Sequence, residues 1–315
     1  MSRAETRYRK LSEYLEQKYN CKVYKVGINA GFSCPNRDGT KSAGGCIYCN
    51  NEAFGRSEKP VLRQIEEGIK FTRKRYGAEK HIIYFQSYTN TYADPARLKK
   101  LYSIIREYSS VVGLSIGTRP DCIDEEKLDV IEEFCDRYEV WMEYGLQSVN
   151  DRTLSYINRR HTYRDFLGAV ELTRRRERIK ISPHVIIGLP GEGPEDFKNT
   201  AKEMGRLKVD GIKIHPQHVV KDTFLAELYQ KGEYKPLSFK EYTKAAANFL
   251  EYLWPQTVIQ RITASCPPAM LLAPDWINNK GSVTNKVSSI LQERNSRQGS
   301  LYLKQNKEKA TSKSG

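Results

Sequence analysis

Between residues 23 and 215, apolar runs of strand length alternate with stretches of helical period. This alternation restricts the chain to a parallel sheet with right-handed crossovers. Six strands are expected: Val23–Ile28, Ile82–Gln86, Val112–Ile116, Val140–Tyr144, Ser182–Ile187 and Gly211–His215. Helices are expected near 61–76, 95–108, 125–137, 151–157, 163–176 and 195–206, then 222–231 and 238–252. A basic amphipathic helix over 3–20 precedes the first strand, with Tyr8, Leu11, Tyr14 and Leu15 on one stripe. Periodicity alone does not separate an open doubly wound sheet from a barrel, but the loops help. Segments that are polar or rich in Gly and Pro follow every strand: Gly31–Asn51, Ser87–Ala93, Gly117–Asp121, Gly145–Asn150, Gly188–Gly193 and Pro216–His218. A barrel carries its chemistry at the carboxyl ends of all its strands, whereas an open sheet concentrates it at one switch point. A barrel-like α/β fold over 21–220 is therefore expected, with the N-terminal helix in 1–20 and a helical extension at 221–293. Residues 294–315, with six Lys/Arg and one acid, read as a mobile basic tail.

Hydrophobic residues make up 39% of the 315, enough to fill the core of one large domain. No apolar run approaches the roughly 18–20 residues that a membrane helix needs. Residues 1–10 lack a signal-peptide shape, so no membrane partner and a cytoplasmic location are expected. The formal net charge is +14, from 52 Lys+Arg against 38 Asp+Glu. Such a surplus favours a polyanionic partner, nucleic acid first among them.

Seven cysteines, an odd number, argue against a disulfide framework. Three of them cluster after the first strand, in Cys34-Pro-Asn-Arg-Asp-Gly-Thr-Lys-Ser-Ala-Gly-Gly-Cys46-Ile-Tyr-Cys49. A structural zinc site needs four ligands, and Cys21, Cys122, Cys135 and Cys266 contain no second pair. A thioredoxin-like pair would use Cys46 and Cys49 but would not require Cys34. A three-thiolate [4Fe–4S] cluster uses all three and leaves one iron open to a cofactor.

The triple-cysteine loop with its final C-x-x-C resembles the radical S-adenosylmethionine (SAM) superfamily, although eleven residues separate Cys34 from Cys46 where three are usual. The long spacing is similar to the branch containing the elongator-type tRNA-modifying domain. Further resemblance, to the YtqA/YhcC subgroup, lies in Gln86–Tyr92, Gly117–Asp121, Glu143–Ser148 and Gly188–Glu192. It spans about residue 5 to about residue 290 and implies a partial (β/α)6 TIM-like barrel.

The resemblance also implies SAM contacts. Gln86 and Thr89 lie where the family meets the methionine amino group, though without its usual Gly-Gly-Glu pattern. Gln147 resembles the ribose-contacting amide, with Ser148 its neighbour. Arg159, rather than Arg160, resembles the arginine that pairs with the SAM carboxylate, a task suited to a permanently charged fork. Gly188 and Gly191 lie on the adenine side, and His184 is a candidate polar contact. Arg119, Glu143, His215 and His218 are catalytic candidates near the barrel mouth; Arg119 and Asp121 either pair or face substrate.

The expected reaction is abstraction of a hydrogen atom by a 5′-deoxyadenosyl radical, with electrons from a one-electron reductant such as flavodoxin or ferredoxin. Net charge, the first helix and the run Arg174–Arg178 favour RNA. The subgroup resemblance implies tRNA, with conversion of a wobble-uridine carboxymethylaminomethyl group to aminomethyl. Alternatives are a small-molecule enzyme of the coproporphyrinogen-dehydrogenase type and a non-catalytic, cluster-bearing RNA- or protein-binding adaptor.

Overall fold

The computed structural model describes residues 7–50 and 59–311. In chain order its strands are β1 (Val23–Ile28), β2 (Lys80–Phe85), β3 (Val111–Thr118), β4 (Glu139–Gln147), β5 (Lys180–Ile181), β6 (His184–Ile187), β7 (Gly211–Pro216), β8 (Val219–Val220), β9 (Val258–Arg261) and β10 (Leu271–Ala273). Seven of them form a curled parallel half-barrel in the order β1-β2-β3-β4-β6-β7-β9, with β5 beside β4. Strands β8 and β10 make a separate antiparallel pair.

Two details differ from expectation. The strand expected over Ser182–Ile187 begins only at His184 as β6, and Ser182-Pro183 separates it from β5 at Lys180–Ile181, because proline has no N–H for the ladder. Strand β9 is a seventh member of the sheet. Its four residues are too few to show a period, and they lie within the stretch expected to be helical.

The helices are α1 (Leu11–Tyr19), α2 (Val61–Tyr76), α3 (Pro95–Ser103), α4 (Glu125–Glu132), α5 (Asp151–Tyr156), α6 (Tyr163–Arg174), α7 (Pro194–Arg206), α8 (Phe224–Gln230), α9 (Phe239–Tyr252), α10 (Lys280–Glu293) and α11 (Ser300–Thr311). Side chains alternate along each strand. One set joins the large apolar core, including Ile83, Phe85, Leu114, Ile116, Met142, Tyr144, Val185, Ile187, Ile212 and Ile214. The other set turns to the lumen. Val23, Ile82 and Trp141 pack toward α1. Polar or small residues line the cavities beyond, namely Lys25, Gly27, Tyr84, Gln86, Gly117, Glu143, Gly145, Gln147, His184, Lys213 and His215, with Ser115 bonded to Glu143.

The helix expected over 3–20 is observed from Leu11, and residues 1–6 lie outside the described residues. Helix α1 lies across the gap between the edge strands: the Ile259 N–H donates to Arg9 O at 2.7 Å, and Leu15 packs with Val23 and Ile82. Its polar side chains turn inward. Tyr14 donates to the buried carboxylate of Glu139 at 3.0 Å, and Lys18 pairs with the same group.

Residues 294–311 correct the mobile-tail expectation. Gln298 is buried and donates to the carbonyls of Trp254, Pro255 and Thr257 at 3.0, 3.2 and 2.8 Å. Arg294 pairs with Glu251 at 2.9 Å, and α11 follows. A side-chain amide caught by backbone carbonyls leaves no apolar period to read. Residues 312–315 lie outside the described residues.

Candidate active site

The loop after β1 folds on itself before it can present its thiols. Arg37 and Asp38 N–H groups donate to Cys34 O at 2.8 and 3.1 Å, Gly45 N–H to Asn36 O at 2.8 Å, and Cys49 N–H to Cys46 O at 2.9 Å. Gly45 has φ +82°, and a Cβ there would also press on the Arg37 side chain at 3.0 Å. Asn158 Nδ2 donates to Gly45 O at 2.7 Å and ties the loop to the segment after α5. Cys34, Cys46 and Cys49 thereby line one cavity of about 210 Å³ at the carboxyl end of the sheet, together with Arg37, Arg119 and Arg159.

Burial pushes the Cys49 thiol up to about 12, and the neighbouring Cys46 adds to the shift. Thiolates here need compensating positive charge. Arg159 supplies part of it, with Nη1 3.6 Å from Cys46 Sγ and Nη2 donating to Gly145 O at 2.6 Å. Three thiols spread around a cavity suit a multi-iron cluster, whose irons hold the ligands apart, better than one zinc ion. Among the described residues no three His, Cys, Asp or Glu converge on a single-ion position. Arg119 is 2% exposed and forks onto Asp121 with two 2.9 Å bonds, so the expected alternative of pairing is the one observed. Its Nη1 remains buried without a hydrogen-bond partner, a donor beside the cysteines suited to an anionic ligand.

Gln86, Thr89 and Gln147 line the same cavity, as do Glu143 and His184. Gln147 has φ +75°, a conformation costly for a side-chain-bearing residue and often found at functional sites. Arg160 is exposed. A second cavity of about 840 Å³ shares Tyr48, Cys49, Gln86, Gln147 and His184 with the first and extends to His215 and His218. Burial lowers His184 to about 4 and holds His215 well below the usual range, so both rings are neutral at pH 7.

Ser148, Gly188 and Gly191 stand apart from the thiols. Gly188 has φ +93°, and both glycines line a different cavity of about 770 Å³. Ser148 donates to Glu192 of that segment. Burial raises Glu192 from 4.5 to about 7. The folded carboxyl keeps its proton to higher pH than the unfolded one. Its stabilisation is therefore complete below about 4.5 and is lost as pH rises through about 7. Glu192→Gln should raise the unfolding midpoint by a few degrees at pH 8 and change it little at pH 5, as read by thermal melts.

Glu143 is fully buried and faces the lumen. Its Oε1 accepts from Lys25 Nζ at 2.5 Å and from Ser115; its Oε2 pairs with His184 at 2.7 Å and with Lys213. Sequence reasoning missed Lys25, Lys213 and Arg261. The available signal was their position at lumen-facing points of the strand alternation. The run Arg174–Arg178 also differs from expectation. Arg174 binds Leu207 O, Arg175 and Arg176 pair with Glu125, and Arg178 pairs with Asp136. The run ends α6 at the amino pole of the sheet, opposite the cysteine loop, so a ligand over the mouth does not meet it.

A curled parallel half-barrel with a triple-cysteine loop after its first strand defines a radical SAM protein. The chain belongs to that family: residues 34–204 match the radical SAM superfamily, and 209–293 match the radical SAM C-terminal domain. Its relatives include Methanocaldococcus jannaschii MJ0486, 37% identical over 92% of this chain and 91% of that one. Escherichia coli YhcC is 36% identical (89% and 90%), and Bacillus subtilis YtqA 34% (98% and 97%). The tRNA uridine(34) acetyltransferase of M. jannaschii is 29% identical over 56% of this chain and 32% of its own length. The fold matches a solved structure of Methanocaldococcus infernus Elp3 with TM-score 0.66 at 20% identity, covering 88% of this chain and 64% of that one. Among the described residues no helix is long and apolar enough to cross a membrane.

Proposed function

We propose that Cys34, Cys46 and Cys49 hold a [4Fe–4S] cluster with one iron open to SAM. The proposed reaction modifies the wobble uridine of tRNA, taking a 5-carboxymethylaminomethyl group to aminomethyl, with the two outer carbons leaving as glyoxylate, SAM as the two-electron oxidant and water supplying the aldehyde oxygen. Together the bound cofactors supply a radical able to take hydrogen from an unactivated carbon, such as the glycine-like methylene of that substituent. The chain's own residues bind and orient. Arg159 and the free Arg119 nitrogen receive the SAM carboxylate, Gln86 and Thr89 meet its amino group, and Gln147 meets its ribose. Lysines and neutral imidazoles line the lumen beyond.

The observation carrying the substrate assignment is the similarity, over more than half the chain, to an enzyme named for tRNA uridine 34. The rim of the mouth supports it. Tyr156 and Phe224 are 56% and 52% exposed, next in sequence to Ile157 and Leu225, which hydrogen-bond to Ile47 of the cysteine loop, and Arg152, Arg160 and Lys221 of the same two segments are exposed. Aromatic faces interleaved with cations suit unpaired bases, and an anticodon loop offers its base at less cost than a duplex. Nucleoside mass spectrometry of tRNA from cells with and without the protein tests the reading. Loss of the protein should accumulate the carboxymethylaminomethyl nucleoside and deplete its aminomethyl derivatives; an unchanged profile overturns the assignment.

A further inference from the structure

Three cations, Lys25, Lys213 and Arg261, stand along the lumen around one carboxylate, Glu143. Both oxygens of Glu143 are taken by Lys25, Ser115, His184 and Lys213. Even with Lys213 neutral, one positive charge is left over. It sits on Arg261, at the end of β9, where the lateral cavity of about 640 Å³ meets the mouth cavity of about 840 Å³. Arg261 has no carboxylate within ion-pair distance among the described residues. Its hydrogen bonding consists of a 3.5 Å contact from Nη2 to Ser265 Oγ. A partly buried guanidinium left this way is poorly compensated until an anion arrives, and its fork matches a carboxylate.

The same mouth cavity also holds a complementary acceptor. Gln217 is 5% exposed and lines it. Its Nε2 donates to His218 O at 2.7 Å, which fixes the amide orientation, while its buried Oε1 has no hydrogen-bond partner. A buried acceptor calls for an N–H.

We propose that this cavity recognises an N-substituted glycine, with its carboxylate on Arg261 and its N–H on Gln217 Oε1. The inference rests on the tRNA reading, because the carboxymethylaminomethyl group presents both features. It adds a selection step: the aminomethyl product has no carboxylate, so it loses the Arg261 contact and is released.

The test uses cluster-loaded protein and calorimetric binding of two probes, N-benzylglycine and its primary amide. The wild-type protein should bind the carboxylate about tenfold or more tightly than the amide. R261Q should bring the ratio near one, and R261K should keep part of it; comparing probes within one protein cancels any general loss of folded material. No binding, no preference in the wild type, or an unchanged ratio in R261Q overturns the inference. So does a loss of SAM affinity in R261Q with the probe ratio intact, which would assign Arg261 to the SAM carboxylate. An unchanged tRNA nucleoside profile alongside a lost ratio in R261Q removes the tRNA reading but leaves the carboxylate site standing.

Discussion

Alanine at Cys34, Cys46 or Cys49 should leave the anaerobically reconstituted protein colourless. Iron content should fall from about four per chain to near zero. The loss should be complete because, among the described residues, no further cysteine lines the same cavity. Cys122 is buried beside Asp121, whose carboxylate, after burial itself, helps push its thiol up to about 11. Cys135 packs against the helix-side core, and burial raises it to about 11 as well. Cys266 is the demanding control, since it lines the mouth cavity with Cys49. Cys122→Ala, Cys135→Ala and Cys266→Ala should each keep the brown colour and the iron. Stoichiometric zinc with no iron in the wild type would instead favour a single-ion site, and retained iron in any of the first three variants would remove that cysteine from the ligand set.

The legible part of this site is the part that is local in sequence. Cys34, Cys46 and Cys49 fall within sixteen residues, and Arg159 follows Gln147 on the connection after one strand. The strand and helix alternation was equally plain, because each element shows its own period. What escaped depends on register between distant strands. Lys25, Lys213 and Arg261 come from β1, β7 and β9, and each looks alone like a charge interrupting an apolar run, while Glu143 of β4 was read as a candidate without the cations around it. Only the half-barrel shows that they face one lumen. The Arg174–Arg178 run misled for a related reason. Charge in a sequence is counted without its partners, and Glu125, Asp129 and Asp136 arrive from about forty to fifty residues away. The resemblance placed Gly188 and Gly191 near adenine by order along the chain; in the structure Tyr234 donates to Gly188 O and both glycines line the cavity of about 770 Å³.

Glu143→Gln should be among the most destabilising isosteric changes available, because it leaves buried cations without their counter-charge. Breaking one side of a buried ion pair costs about 3–5 kcal/mol, far above the value of an exposed pair. Glutamine preserves the shape, so the effect isolates the charge. Part of the cost should depend on pH. Burial pushes Lys213 down to about 7 against the pull of Glu143, and its ammonium also lies 3.9 Å above the Tyr84 ring. A lysine whose folded pKa is depressed destabilises the fold most at low pH, where the ammonium must be buried, and the penalty shrinks as pH rises. Without Glu143 the folded pKa falls further, so the extra loss appears below about 7, where the wild-type protein still carries the charge. Above that value Lys213 is neutral in both proteins and the difference narrows to the remaining interactions of Lys25 and His184. Urea unfolding of cluster-loaded protein should therefore show a larger gap between wild type and variant at pH 6 than at pH 8.5. Adding Lys213→Met to Glu143→Gln should recover part of the loss, with a coupling on the order of 1–3 kcal/mol in the double-mutant cycle. Additive losses with a pH-independent gap would mean that Glu143 acts by packing, and that the lumen charges do not form the coupled set their geometry describes.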